Sequence, residues 1–77
     1  MEVQEVVDAR GRRCPWGIVE AGKRFRNLAA GTVLAIDSDD PVSATQVPAW
    51  CQLTGHEYLG EEAAAAGCTR YLVRRKE

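Results

Sequence analysis

Residues 3–29 read VQEVVDARGRRCPWGIVEAGKRFRNLA and place a short β-prone run, a turn and an amphipathic helical pattern in direct succession. The valines of residues 3–7 predict a strand, and Gly11 marks the turn that ends it. After Pro15 the apolar positions recur at steps of three and four, namely Ile18, Ala21, Phe25, Leu28 and Ala29. That spacing predicts a helix with one buried face, and Gly31 is its expected stop.

The middle of the chain continues with a second strand and a second helix. Residues 32–36 (TVLAI) form a nearly continuous apolar run, which predicts a strand buried on both faces. Residues 37–41 (DSDDP) break the pattern with turn and capping residues. A second helix is expected over about residues 42–54, with Gly55 as its stop and Pro48 delaying or bending its first turns. Its core candidates are Ala44, Val47, Trp50, Cys51 and Leu53.

The last part of the chain predicts two further strands. Residues 56–59 indicate a third strand, and residues 69–74 alternate between two faces as a fourth. For residues 61–67 the alanine run favours a helix and the short length favours a turn, so both remain open. The order β-α-β-α-β-β predicts an α/β (α+β) two-layer sandwich, in which a four-stranded mixed sheet carries two helices on one face. We expect a single domain over residues 1–77.

Size and charge limit the function classes. The chain has 77 residues, is 45% hydrophobic and 27% charged, and carries a formal net charge of −1. A chain this short has no room for a deep substrate cavity beside its core, so its chemistry should lie at the surface and act on something a partner presents. The net charge does not favour direct nucleic-acid binding, and we expect a monomer without a cofactor.

Hydropathy and cysteine usage indicate the cellular compartment of the protein. No apolar stretch approaches the roughly 18 residues of a membrane-spanning helix, and residues 1–5 lack a signal-peptide core. The three cysteines are an odd number without a secreted framework, so reduced thiols are expected. These features predict a cytoplasmic protein with no membrane association.

Cys14 and Pro15 stand where the predicted turn meets the predicted helix. Pro15 suits the first helical position because its fixed φ angle fits and its missing N–H is not needed there. A thiol at a helix start lies near free N–H groups and the helix dipole, which both favour negative charge. Basic residues flank it on both sides: Arg10, Arg12, Arg13, Lys23, Arg24 and Arg26. We therefore expect a lowered pKa for the Cys14 thiol, and nucleophilic chemistry there.

Six segments carry a resemblance that covers nearly the whole chain. They are Asp8-Ala9-Arg10-Gly11, Cys14-Pro15, Gly31-Thr32-Val33-Leu34, Asp39-Asp40-Pro41, Val47-Pro48-Ala49-Trp50-Cys51 and Gly55-His56-Glu57. In this order and spacing the chain resembles the TusA/SirA-like sulfur carriers. The resemblance implies the β-α-β-α-β-β fold and a thiol that carries sulfane sulfur as a persulfide. It also implies a donor protein (a cysteine desulfurase or a rhodanese-like protein) and an acceptor protein, often in tRNA thiolation, cofactor assembly or oxidative sulfur metabolism.

By its position in the family motif, Cys14 is implied to be the sulfur-bearing residue. The resemblance also implies that Pro15 shapes the start of the helix. The family usually has Cys-Pro-x-Pro, whereas Gly17 stands here in place of the second proline. Because glycine has wide backbone freedom, we expect a looser first turn. Arg13 also stands where relatives are often apolar.

The residues around the thiol are candidates for a partner-binding surface. Arg12, Arg13 and Lys23 would face an anionic partner, although a solvated basic face is equally open. Trp16 is a candidate docking contact, and the alternative is that it folds down onto the helix.

The remaining chemistry-bearing residues are expected to be structural. Cys51 falls on the apolar stripe of the second helix, so a core position is expected. Cys68 precedes the last strand and is a candidate for exposure and for a resolving role. His56 is expected to be structural or solvent-facing, and Asp39 and Asp40 to cap the second helix. One histidine and three scattered cysteines lack metal-ligand spacing, so no metal site is expected.

The leading hypothesis is a sulfur carrier that relays sulfane sulfur on Cys14 from a donor protein to an acceptor protein. It is a sulfurtransferase only in the sense of a stoichiometric relay. Two alternatives remain open. One is a non-catalytic regulatory module that binds RNA or protein through the basic face. The other is a thiol–disulfide reductase, which needs a second thiol near Cys14.

Overall fold

The structure, a computed structural model, describes residues 2–77 and contains its regular elements in the predicted order. They are β1 (Glu5–Asp8), α1 (Trp16–Phe25), β2 (Val33–Ser38), α2 (Ser43–Thr54), β3 (Glu57–Ala63) and β4 (Thr69–Arg74). The β-α-β-α-β-β order is thereby confirmed. Neither helix within residues 2–77 is long and apolar enough to cross a membrane.

The four strands form one mixed sheet in the order β1-β2-β4-β3. β1 and β2 are parallel, with Val7 opposite Ile36, because α1 crosses over between them. β4 is antiparallel to both of its neighbours, and Leu34 of β2 lies opposite Val73 of β4. The mixed sheet predicted from the sequence is confirmed.

Both helices pack on the same face of the sheet. The buried core between the two layers contains Val7, Ala9, Ala21, Phe25, Leu34, Ile36, Val47, Cys51, Tyr71 and Val73. Fully burying one large aliphatic or aromatic side chain contributes roughly 1.5–3 kcal/mol, so this contact is the main stabilising feature. β2 is buried on both faces from Val33 to Ile36, as its continuous apolar run predicts.

α1 is shorter than its apolar pattern predicts. Pro15 lies at the N-cap, before the first helical residue, and the peptide bond preceding it is cis. The helix ends at Phe25, and Gly31 (φ 85°) lies in the later turn that leads into β2. Leu28 still packs against the core from beyond the helix end. The apolar spacing thus continues to indicate burial at Leu28, beyond the helix end, whereas Ala29 is exposed.

α2 runs from Ser43 to Thr54 with Pro48 inside it. Proline has no N–H to donate to the carbonyl of Ala44, but Ala44 is exposed, so water can satisfy that carbonyl. Gly55 ends the helix in the left-handed conformation (φ 86°), and its N–H donates to the Cys51 carbonyl at 2.8 Å. Gly55 is therefore confirmed as the stop.

The core face of α2 is narrower than predicted. Val47 and Cys51 are buried and Trp50 is half-buried against the core. Ala44 is exposed and Leu53 is 87% exposed, so these two predicted core positions are wrong. The helix covers the β3–β4 side of the sheet, and a helix lying on one side of a small sheet buries only a narrow stripe.

β3 is longer than predicted. It runs over Glu57–Ala63, beyond the expected end at residue 59, and pairs with β4. The pairing register shifts between Tyr58 and Gly60, and Gly60 adopts a φ of 117° at this irregularity. The segment left open between helix and turn divides into the end of β3 and a loop over residues 64–67.

Candidate functional site

Two loops meet at one edge of the sheet. Because β1 and β2 are parallel, the residues that follow each strand leave the sheet at the same edge. The Gly11 N–H donates to both carboxylate oxygens of Asp39 at 3.1 Å. The Cys14 N–H donates to Asp40 Oδ2 at 3.0 Å. These bonds join the loop that carries Cys14 to the loop between β2 and α2.

The Asp40 carboxylate is shared between the two loops. Its other oxygen, Oδ1, accepts the Val42 N–H at 3.0 Å just before α2. The backbone N–H groups of Cys14 and Val42 lower the pKa of Asp40, because they stabilise its charged form. The capping prediction is confirmed for Asp40, whose Oδ1 accepts the N–H of Val42 at the start of α2, and it is wrong for Asp39, which bonds the Gly11 N–H instead. Both carboxylates also hold the Cys14 loop in place.

Cys14 lies half-buried between two surface depressions. The larger has a volume of about 510 Å³ and is lined by Gly11, Arg12, Arg13, Cys14, Asp39, Asp40 and Val42. The smaller has a volume of about 190 Å³ and is lined by Cys14, Pro15, Val42 and Gln46. Cys14 therefore lines both depressions and can be reached from the protein surface.

The pKa of the Cys14 thiol is raised above its ordinary value, which is opposite to the prediction. Burial is the main cause, and the negative charge of Asp40 adds to it, whereas hydrogen bonding with Ser43 acts in the lowering direction. The prediction counted the flanking arginines and the helix start. It did not count the Asp40 carboxylate, which only the fold brings beside the thiol.

The start of α1 lies next to the thiol in sequence. Pro15 occupies the N-cap, and the Trp16 N–H donates to the Arg13 carbonyl at 3.0 Å. The helix has no side-chain cap and no acidic residue in its first turn. The Trp16 N–H of that turn is already paired and does not meet the sulfur of Cys14.

Gly17 makes the helix start tight. It is buried, and a Cβ placed there would lie 3.0 Å from Ile36 Cγ2 and 3.1 Å from Ala9 Cβ. The absence of a side chain lets the first turn of α1 approach the sheet closely. The predicted loose first turn is wrong, because this glycine serves close packing rather than backbone freedom.

The predicted partner-binding residues occupy different positions around Cys14. Arg12 and Arg13 are exposed and line the larger depression. Trp16 packs half-buried against the core, and the Arg12 guanidinium lies 4.2 Å from its ring centroid. Lys23 is exposed in the last turn of α1, about 10 Å along the helix from Trp16 at 1.5 Å per residue. The structure thus groups the two arginines with the thiol and leaves Lys23 apart.

The other cysteines are buried away from the depressions. Cys51 is a core residue, as predicted, and burial raises the pKa of its thiol to about 11. Cys68 is also buried, so its predicted exposure is wrong. The loop before β4 folds over it, with the Cys68 N–H donating to the Ala65 carbonyl at 2.8 Å. All three cysteines are free thiols.

His56 has a structural position. Its ring lies 4.7 Å from the Phe25 ring centroid and 5.2 Å from the Trp50 ring centroid, and Nδ1 accepts the Lys76 N–H at 3.1 Å. In the part of the chain that the structure describes, no three His, Cys, Asp or Glu side chains are grouped to hold a metal ion.

Residues 37–41 were interpreted only as a turn and a helix cap. Their sequence also contained a signal that they form the second loop of the site. The residues DSDDP follow a strand, and in a sheet where that strand is parallel to the first, they must reach the edge that carries Cys14. Ser38 and Ser43, at either end of this loop, were not singled out. Both are buried polar residues, and their Oγ atoms are 2.9 Å apart.

The chain is similar to sulfur carrier proteins along nearly its whole length. The family model described as sulfurtransferase TusA matches residues 5–75. The putative sulfur carrier protein YrkF of Bacillus subtilis is 48% identical over 75 residues, which cover 97% of this chain and 40% of that protein. The sulfur carrier protein TusA of Pseudomonas entomophila is 39% identical, over 91% of this chain and 86% of that protein.

A solved structure supports the fold. The SirA-like protein from Desulfitobacterium hafniense has a TM-score of 0.82 at 21% identity, over 96% of this chain and 100% of that chain. Among the sequence relatives, the chain spans less than half of YrkF but most of the Pseudomonas protein. Because the family model covers all but the ends of the chain, this protein belongs to the TusA family.

Proposed function

We propose that this protein receives sulfane sulfur on Cys14 from a donor protein, holds it as a persulfide and passes it to an acceptor protein. The observation that carries the proposal is a free, half-buried thiol between two depressions, with its backbone fixed by Asp40. Family membership supports it, since the relatives are named sulfur carrier proteins. Candidate destinations of the sulfur are tRNA thiolation and oxidative sulfur metabolism.

Two displacement steps describe the relay. In loading, the Cys14 thiolate attacks the terminal sulfur of a donor persulfide, the donor S–S bond breaks, and the donor cysteine leaves as a thiolate. In discharge, an acceptor thiolate attacks the terminal sulfur on Cys14, and the electron pair of the broken S–S bond goes to Cys14 Sγ. One sulfur atom moves in each step, and no external oxidant or reductant is consumed.

The raised pKa of Cys14 defines its resting state. Little thiolate is present at neutral pH, but a thiolate of higher pKa is intrinsically more nucleophilic. Burial and the Asp40 charge both disfavour the anion, so its concentration stays low until it is consumed by reaction. The carrier therefore rests as a thiol and reacts through its small ionised fraction.

The surface around the thiol suits a protein partner. Pro15 is exposed and Val42 is 50% exposed, which gives an apolar centre beside Cys14. Arg12 and Arg13 provide a charged rim. An apolar centre with a polar rim is the usual organisation of a protein–protein interface. We expect both partners of the relay to dock on this surface.

The alternative functions have weaker support. A thiol–disulfide reductase needs a second accessible thiol near Cys14, whereas Cys51 and Cys68 are buried and line neither depression. An RNA-binding module needs a continuous basic surface. Here Asp39 and Asp40 line the same depression as the arginines, so the surface is of mixed charge.

Mass spectrometry after incubation with glutathione persulfide tests the relay. We expect an increase of about 32 Da, one sulfur atom, on the peptide that contains Cys14, and its loss on reduction with dithiothreitol. Cys14→Ser should lose the adduct. The matched variant Cys68→Ser should keep it, because Cys68 is buried outside the depressions.

A wild-type protein that stays unmodified, or an adduct undiminished in Cys14→Ser, would contradict the relay. Salt-dependent binding to RNA that survives Cys14→Ala would support the interaction module instead.

A further inference from the structure

The two depressions that meet at Cys14 differ in charge. The larger, of about 510 Å³, is lined by four charged side chains, namely Arg12, Arg13, Asp39 and Asp40. The smaller, of about 190 Å³, contains no charged residue and is lined by Cys14, Pro15, Val42 and Gln46. A second sulfur atom bonded to Cys14 lies about 2 Å beyond Sγ, and the side that it takes decides which groups surround it.

The two arginines of the larger depression are engaged by other groups. The Arg12 guanidinium lies 4.2 Å from the ring centroid of Trp16, and the face of the ring attracts its charge. The positive charge of Arg13 is one of the causes that lower the pKa of Asp40. Neither arginine is among the groups that shift the pKa of the Cys14 thiol. The cations of this depression therefore compensate its own groups rather than the sulfur.

Asp40 makes the larger depression unfavourable for a negatively charged sulfur. Its carboxylate is fixed beside Cys14, because Oδ2 accepts the Cys14 N–H and Oδ1 accepts the Val42 N–H, each at 3.0 Å. A persulfide ionises more readily than the thiol from which it forms, so the outer sulfur often carries a negative charge. Like charges repel, and Asp40 does not line the smaller depression. The outer sulfur is therefore favoured on the side away from Asp40.

The smaller depression suits a sulfur atom. Pro15 and Val42 give it apolar walls, against which a polarisable sulfur packs well. Its volume equals roughly six water molecules at about 30 Å³ each, which is enough for one sulfur atom and the side chain of an entering cysteine. Gln46 lies one helical turn after Val42, and its side chain is exposed. An amide NH₂ group can donate to a negatively charged sulfur without adding a charge of its own.

We propose that the smaller depression is the binding site for the outer sulfur of the Cys14 persulfide, and that Gln46 donates a hydrogen bond to this atom. The proposal deepens the proposed function and rests on it for the persulfide. In discharge the acceptor thiolate attacks the outer sulfur, the S–S bond breaks, and its electron pair goes to Cys14 Sγ. Because the attack occurs in line with the breaking bond, the acceptor enters past Val42 and Gln46 rather than past the arginines.

The pKa of the persulfide shows on which side the outer sulfur lies. When the thiol becomes a persulfide, the negative charge of the ionised form moves by about one S–S bond length. In the proposed site it moves toward Gln46 and away from Asp40. A carboxylate introduced by Gln46→Glu should therefore disfavour the ionised persulfide more than the ionised thiol. Asp40→Asn should have the opposite order, with the larger effect on the thiol.

Chemical installation of the persulfide allows this test without a sulfur donor. The Cys14 thiolate attacks an aryl disulfide, and one aryl thiolate leaves. Hydrosulfide then attacks Cys14 Sγ, expels the second aryl thiolate and leaves Cys14 as a persulfide. Peptide mass spectrometry verifies the added sulfur atom. Alkylation by iodoacetamide across a pH series then gives the ionisation midpoint of Cys14 in the loaded and the unloaded protein.

For Gln46→Glu we expect the persulfide midpoint to rise by about half a pH unit and the thiol midpoint to rise by less. Gln46→Met removes the amide donor without adding charge and should raise the persulfide midpoint by a smaller amount. Gln52→Glu is the matched control and should leave both midpoints unchanged. Gln52 is exposed on the same helix, about 9 Å farther along at 1.5 Å per residue, and lines neither depression.

A persulfide midpoint that moves no more than the thiol midpoint in Gln46→Glu would overturn the proposal. A larger persulfide shift in Arg13→Gln than in Gln46→Glu would also overturn it, because the outer sulfur would then lie in the larger depression. Loading from glutathione persulfide tests the relay separately. A protein that loads there but shows no Gln46 effect keeps the proposed function and loses this site. A protein that shows the Gln46 effect but does not load keeps the site and loses the relay.

Discussion

The Asp40 carboxylate affects Cys14 in two opposite ways. Through its hydrogen bond to the Cys14 N–H it fixes the loop that presents the thiol. Through its negative charge it raises the pKa of the same thiol and so reduces the fraction that is ionised at neutral pH. A neutral side chain of the same shape would keep part of the first effect and remove the second.

Asp40→Asn should therefore make Cys14 more reactive at neutral pH. We expect the alkylation midpoint to move to lower pH and the rate at pH 7 to rise on the order of threefold, since a nearby negative charge is removed. Asp39→Asn is the matched control and should change the rate less, because Asp39 bonds the Gly11 N–H rather than Cys14. A rate at high pH that also rises would indicate a loosened loop, and a slower Asp40→Asn protein would refute the charge effect.

At the scale of the element, α1 contains two glycines in different surroundings. Gly17 faces the sheet, and a Cβ there would come within 3.0 Å of Ile36. Gly22 is half-buried, and a Cβ there would only reach an ordinary contact with Trp50 at 4.0 Å. The same chemical change at the two positions therefore separates packing from helix propensity.

Gly17→Ala should destabilise the protein, and Gly22→Ala should stabilise it. Alanine gains about 1 kcal/mol over glycine in a helix interior, and overpacking a tight contact costs about 1–3 kcal/mol. We expect a net loss of about 1 kcal/mol at Gly17 and a gain of up to about 1 kcal/mol at Gly22, measured by urea unfolding. Equal effects at the two positions would mean that the approach of α1 to the sheet does not depend on Gly17.

Across the whole molecule, the residues after β4 tie the two helices together at the end opposite Cys14. Arg75 Nε donates to the Phe25 carbonyl at 2.6 Å, and Lys76 Nζ donates to the Thr54 carbonyl at 2.8 Å. Each cation thus meets the negative end of a helix. The Lys76 N–H donates to His56 Nδ1, which must be unprotonated to accept it.

Stability should decrease as His56 becomes protonated. Burial, followed by the charges of Lys76 and Arg75, lowers the pKa of His56 below its ordinary value of 6.5. The unfolded chain therefore takes up the proton more readily than the folded chain, and this contribution is complete above pH 6.5 and lost as the pH falls through the folded pKa. We expect a decrease of less than about 1 kcal/mol in the free energy of unfolding between pH 7 and pH 5.

His56→Asn is the control for this pH effect. Its amide oxygen can accept the Lys76 N–H in place of Nδ1 and does not titrate. The variant should lack the histidine part of the decrease in urea-unfolding measurements. If the free energy of unfolding decreases equally with pH in the variant and in the wild type between pH 7 and pH 5, groups other than His56 cause the decrease.

Much of the fold was predictable because it depends on local patterns. The continuous apolar run of β2, the three- and four-residue spacing of α1 and the stop at Gly55 each act within a few residues, and each appears in the structure. Two element boundaries were predicted wrongly: α1 ends earlier than expected, and β3 is longer than expected. Neither error has a local cause. Arg75 satisfies the carbonyl at the end of α1, and pairing with β4 extends β3, and both partners are distant in sequence.

The sequence by itself determined the order of the elements, the burial of β2 on both faces and the position of Cys14 before a helix, because hydrophobic periodicity and turn residues act over short distances. Only the tertiary structure decided the surroundings of the sulfur. Asp40 reaches Cys14 because two parallel strands end at one edge of the sheet, and burial and charge at that edge raise the pKa of the thiol. A pKa depends on groups that are close in space, and a local pattern does not contain those distances.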